Sequence, residues 1–168
     1  MSFLQRTGGQ LTWLVLSLLG VLISIYLTTV HYQGVPLVCS ATGLVDCASV
    51  LSSAYSVVPG TTLPITLPGI LWFVVGGVLA FAGWRLWPER RTIRIAEFVW
   101  ALLGLVTVFY LIYAEIVRLH KICAWCTGVH VIILLMLIVA VFQLQRPESE
   151  EELDEDADEI QPVSAKHN

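Results

Sequence analysis

Charge is scarce in this chain. Asp, Glu, Lys and Arg make up only 13% of its 168 residues, hydrophobic residues make up 57%, and the mean hydropathy is +0.79. A soluble domain carries about a quarter of its residues charged, so this balance excludes one of ordinary kind and points to a membrane protein. Lys and Arg are absent altogether from His31 to Ile65. No internal repeat appears beyond the apolar runs. No clean small-x-small cleavage site follows the first run, which is also too long for a leader's apolar region and is expected to be a spanning helix. The bases that exist lie mostly in one loop, which makes them a topology signal and not a nucleic-acid patch.

Four apolar runs have the roughly 20 residues that a bilayer core requires: about 11–30, 67–84, 95–117 and 123–144. The expected fold is an all-α membrane protein, a four-transmembrane-helix bundle spanning residues 1–146. Residues 148–168 hold nine acids and one base, Lys166. Such a stretch, 147–168, reads as a disordered cytoplasmic tail. The second run ends in Trp84-Arg85-Leu86-Trp87-Pro88-Glu89-Arg90-Arg91-Thr92-Ile93-Arg94, an aromatic belt with its arginines. By the positive-inside rule this loop faces the cytoplasm. Arg6 and Arg146 fall on the same side, so both termini are expected inside and the His31–Ile65 loop outside the cytoplasm.

The outer loop carries Cys39 and Cys47, and Cys123-Ala124-Trp125-Cys126 opens the last apolar run. All four cysteines therefore share the oxidising side, where disulfides persist. The first turn of a helix offers unpaired N–H groups and a positive dipole end, which favour thiolate over thiol. One mobile pair and one anchored pair suit a relay of thiol–disulfide exchange. The anchored pair, at the edge of the hydrocarbon, needs an electron partner that dissolves there, and a quinone, menaquinone or ubiquinone, meets that need. His130 lies one turn below Cys126 on the same face and can bond a quinone carbonyl or take up a proton. Within the loop, Asp46 and Ser49 can cap a short helix with Val50, Leu51, Ala54 and Val57 on one face, ended by Val58-Pro59-Gly60. It would lie over the bundle as a lid. Charged residues in spans are functional candidates; Glu97 and Glu115 are each within a turn or two of an interface and can snorkel, and Glu115 can pair with Arg118 or, alternatively, take a redox role. Two other readings of the cysteines stand beside the relay: two static disulfides, and a soft metal site in a membrane carrier or sensor, with His120 or His130 as further ligands.

The pair Cys39-x7-Cys47, the run Cys47-Ala48-Ser49-Val50-Leu51-Ser52-Ser53-Ala54-Tyr55 and Cys123-Ala124-Trp125-Cys126 occur in this order on one expected membrane face. Together they resemble the vitamin K epoxide reductase family, in its prokaryotic disulfide-forming branch, over about Leu11 to Leu144. The resemblance implies a four-helix bundle enclosing a quinone, capped by the loop and its short helix. It implies that Cys126 is the thiol nearest the quinone, that Cys123 exchanges with the loop pair through Cys47, and that Cys39 meets an external thiol protein. Ser52, Ser53 and Tyr55 match residues that the family places near its pocket. Thr66 stands in the region where the vertebrate enzymes carry a quinone-binding Asn, and His130 stands where they carry a pocket Tyr. Both differences count against epoxide reduction, the alternative activity, and leave quinone reduction open. Some prokaryotic relatives carry a fused thioredoxin-like domain, whereas this chain continues into an acidic stretch. The redox partner is therefore expected to be a separate extracytoplasmic thioredoxin-fold protein, and the location to be the cell membrane.

Overall fold

The computed structural model describes residues 2–34, 37–39, 43–86 and 91–145, with side chains from residue 8 onward. The acidic stretch 147–168 and the centre of the arginine-rich loop lie outside the described residues. Four long helices dominate: α1 (Ser2–Gln33), α3 (Thr66–Phe81), α4 (Arg91–Tyr113) and α5 (Ala124–Leu144), with the short α2 (Cys47–Leu51) in the loop between α1 and α3. Segments Gly8–Gln33, Thr66–Leu86, Arg91–Leu119 and Ala124–Leu144 are long and apolar enough to cross a membrane. The first helix starts well before the apolar run that announced it. At about 1.5 Å per residue, its 32 residues make it longer than a bilayer core is thick.

α1 packs mainly on α3, and α4 on α5, with α1 and α5 closing the bundle. Small residues let the helices approach, as is usual where the solvent is lipid. Gly20 has no room for a Cβ beside the Phe73 ring, nor has Gly104 beside Trp72. The core is built from Trp13, Phe73, Ala80, Ala101, Val108, Ile132, Ile133, Met136 and Ala140. Leu18, Leu22, Leu71, Val78, Val106, Phe109 and Phe142 point outward and are exposed, the surface a hydrocarbon environment would cover. Trp72 stacks on Trp100 at 6.0 Å, and the Trp100 indole N–H donates to the Trp72 carbonyl at 3.1 Å, fixing α3 against α4.

Glu97 does not snorkel. It is fully buried (0% exposed) at the end of the bundle opposite the cysteines. The Gln10 amide donates to Glu97 Oε2 at 3.2 Å and to Gln143 Oε1 at 2.7 Å, tying α1, α4 and α5 together. The helical stripe Glu97, Ala101, Gly104, Val108 faces inward throughout, so α4's contact face outranks the nearby interface. Gln10→Leu removes the donor shared by both partners and leaves them buried. We expect it to lower stability by about 1 kcal/mol, the scale of interhelical hydrogen bonds in membranes, read as a reduced unfolding midpoint in detergent.

Both α3 and α4 finish in wider π turns, Ala82–Leu86 and Ala114–Leu119. The second ends at His120, whose φ of 51° is left-handed, and its neighbour Lys121 N–H returns to the Glu115 carbonyl at 3.1 Å. The loop helix is shorter than its apolar pattern suggested. Asp46 caps it, accepting from Ser49 N–H at 3.1 Å and Ser49 Oγ at 2.6 Å, contacts that hold its carboxyl below the usual range. It ends at Ser52 and resumes as a single 3-10 turn, Ala54–Ser56. The serines cause the break. Ser53 is extended and caps that turn, accepting from Tyr55 N–H at 3.3 Å, the local competition with helix hydrogen bonds that serine side chains offer.

Candidate functional site

The loop meets the start of α5 through backbone. Asp46 N–H donates to the Ile122 carbonyl at 3.0 Å, and Ile122 N–H to the Leu44 carbonyl at 2.9 Å, a parallel bridge centred on Val45 and Ile122. Cys47 and Cys123 follow directly on the two segments. Both are almost completely buried, in one cluster with Val50, and Cys39, Leu51, Trp125 and Cys126 pack around it. Cys39 and Cys47 form a disulfide with Cα atoms 6.2 Å apart. Cys123 and Cys126 are thiols.

Cys123 is the N-cap of α5, with extended backbone at φ −99° and ψ 118°. Its sulfur takes the place that a Ser or Asp oxygen usually fills, accepting from Cys126 N–H at 3.4 Å. The hydrogen bond to the Cys126 side chain lowers the Cys123 thiol below its ordinary value most strongly. Burial and the Glu115 charge oppose it, and the Cys126 N–H adds to the lowering. A cysteine in this position has its thiolate form favoured over that of an ordinary thiol.

Trp125, between the two thiols, reaches the other cysteine segment. Its indole N–H donates to the Val38 carbonyl at 3.1 Å, and its ring lies 5.0 Å from that of Tyr26. The Tyr26 hydroxyl in turn accepts from Val38 N–H at 3.3 Å. Val38 immediately precedes Cys39, so both loop cysteines are held from α5, one through backbone and one through Trp125.

A cavity lies under the loop, walled by apolar side chains that include Leu27, Val50, Leu51, Pro64, Ile65 and Leu111. Of the residues singled out in the sequence, Cys126, Ser53, Tyr55 and Thr66 line it. Ser52 and His130 do not. Ser52 is exposed and donates to the Ala48 carbonyl at 2.9 Å. His130 is buried in α5 below the cavity. Ser53 donates to the Val50 carbonyl at 2.7 Å, and the Thr66 and Thr28 hydroxyls share a hydrogen bond of 2.6 Å. Tyr55 and His31 also line the cavity, and neither polar group has a hydrogen-bond partner among the described residues. Apolar walls with a few unspent polar groups and a thiol are the chemistry that a lipid-soluble ring with carbonyl oxygens calls for. Two residues of this region, His31 and Tyr26, have no role in the sequence reading, and Glu115 is read there as an interface residue with a redox role as the alternative. Tyr26 sits alone on an apolar helix. His31, at the end of α1, falls four residues after Leu27, which also lines the cavity.

Glu115 is buried (6% exposed) and lines the same cavity. It has no ion pair with Arg118, which is exposed. It shares the cavity wall with Cys126 instead. The signal was present in the sequence: Glu115 continues the inward stripe of Ala101, Gly104 and Val108. Among the described residues no three His, Cys, Asp or Glu side chains converge as metal ligands would, and His120 is exposed.

Residues 11–141 match the model of the vitamin K epoxide reductase family. No curated protein sequence matches the chain.

Proposed function

The chain belongs to the vitamin K epoxide reductase family, which makes it a multi-pass membrane oxidoreductase of the kind that works on thiols and quinones, and from that premise we propose that it is a quinone-dependent thiol oxidase. It oxidises a separate thioredoxin-fold protein outside the cytoplasm, which passes the disulfide to secreted proteins. The observation that carries this reading is the single cluster of Cys47 and Cys123, with Cys126 on its cavity side. The arginines around residues 85–94 orient the chain with the cysteines outside and both termini in the cytoplasm.

The steps follow from thiol exchange. A donor thiolate attacks Cys39 Sγ, the Cys39–Cys47 bond breaks, and a second donor thiol releases the donor as its disulfide. The Cys47 thiolate then attacks Cys123 Sγ of a Cys123–Cys126 disulfide and frees the Cys126 thiolate. Cys39 closes on Cys47 and frees Cys123. Two electrons have moved from the donor to the α5 pair, leaving a loop disulfide and two α5 thiols, the arrangement described above. The Cys123 and Cys126 thiols close again to a disulfide, releasing two electrons and two protons, and a quinone held in the cavity would supply the acceptor for them. Tyr55 and His31 are the unspent donors available to its oxygens, and the apolar walls exclude water from the thiols.

The test follows quinone reduction and donor thiol loss together in detergent, with a reduced thioredoxin-fold donor and ubiquinone or menaquinone. The reading expects one quinone reduced per two thiols lost, and thiol loss without quinone reduction overturns it. Trp125→Ala probes the coupling of the two pairs. Losing the bond to Val38 and the contact with Tyr26 removes roughly 1–2 kcal/mol of positioning, so donor-driven turnover is expected to fall about tenfold. Turnover driven by a small dithiol acting directly on the α5 pair should be unchanged.

A further inference from the structure

We propose that the Glu115 carboxylate is the proton acceptor for the Cys126 thiol. The inference rests on the reading of Cys126 as the redox thiol on the cavity. In the step, the Cys126 S–H bond breaks, a Glu115 Oε–H bond forms, and the electron pair of the broken bond remains on sulfur as thiolate. No electron leaves the pair of residues, and the negative charge moves from oxygen to sulfur.

That last point explains why an acid stands here. A thiol walled by apolar side chains has little water to receive its proton, and creating a new charge there is opposed by desolvation. Transfer to a neighbouring carboxylate creates no new charge. Glu115 and Cys126 share one cavity, Glu115 is buried, and no cation compensates it among the described residues. A buried acid in a spanning segment with no compensating cation among the described residues calls for a functional reason. Its backbone is fixed as well, because the Glu115 carbonyl accepts from both the His120 and Lys121 N–H groups where the π turn ends. Ala114 and Glu115 are both buried in that π turn, and the chain reaches Cys123 shortly after the turn ends; π turns are common at functional sites. The other titratable groups facing the cavity are His31 from α1, Tyr55 from the loop and Cys126 from α5, with Cys123 beside them. None is a carboxylate, so Glu115 is the one acid there among the described residues.

A buried Glu115 would help to hold the π turn in place even if it moved no proton, and the experiment separates the two roles. The full-length protein in detergent, reduced beforehand, is treated with iodoacetamide from about pH 5 to pH 9, and alkylation of Cys126 is read by peptide mass spectrometry. In the wild type the rate should rise as a carboxyl ionises and then level off, because the base, once charged, takes the proton at every higher pH. In Glu115→Gln it should rise tenfold per pH unit throughout and lie about 100-fold below the wild type near neutrality, the usual scale of general-base assistance. Either of two results overturns the proposal: a wild-type rate that climbs tenfold per unit to pH 9, or a Glu115→Gln profile superimposed on the wild type. The wild-type profile decides alone if the variant does not fold. Quinone reduction by the wild type with a small dithiol is measured in parallel. If it fails while the levelled profile stands, the redox reading falls and Glu115 keeps its assignment. The opposite pattern removes only Glu115.

Discussion

Cys126→Ala is expected to abolish quinone reduction by every donor, protein or small dithiol, by about 1000-fold or more, the scale of losing an essential nucleophile. Cys126 is the only one of the four cysteines on the cavity wall. Cys123, fully buried at the helix cap, has its sulfur turned to the Cys126 N–H and to the Cys47 cluster. Removing Cys126 therefore removes both the contact with the cavity and the partner that closes the α5 disulfide. The assay is quinone absorbance with a small dithiol as donor. Turnover retained by the variant would shift the terminal role to Cys123 and refute the assignment.

Cys47→Ala is expected to separate the two halves of the relay. Donor-protein turnover should fall to background, because Cys47 alone of the loop pair sits in the cluster core with Cys123, while Cys39 packs at its edge. Small-dithiol turnover should persist, since the α5 thiols and the cavity are untouched. The check is to run both donors on one preparation. Donor-protein turnover that survives in Cys47→Ala would mean that the external thiol reaches Cys123 directly. The buried state of Cys123 argues against that.

The four long helices were legible in the sequence because length and apolar composition decide whether a segment can span, and neither depends on neighbours. The spacing of the cysteines was legible for a similar reason: Cys-x-x-Cys at a helix start has only local geometry to satisfy, and Cys123 does cap α5. What was not legible depended on which face of one element meets another. Glu97 and Glu115 both lie within reach of an interface, yet the packing face of α4 draws both inward. The break of the loop helix at Ser52 and Ser53 turns on hydroxyl bonds to nearby backbone, which compete with an apolar pattern that continues through Ala54 and Val57. Trp125 reads as a spacer between two cysteines, and only the fold gives it Val38 and Tyr26 to hold.

The bridge between Val45 and Ile122 also sets an order of events during synthesis. Val45 leaves the ribosome long before Ile122, and domains assemble as their parts emerge. Until the last helix is made, the loop lacks the backbone partner that shelters Cys47, and a nascent chain stalled before Ile122 presents Cys39 and Cys47 without their cover. Under the function proposed above, the newborn chain is itself a client for thiol oxidation, including by older copies of the same protein. Insertion of the final span ends that exposure and converts the loop from substrate to machinery.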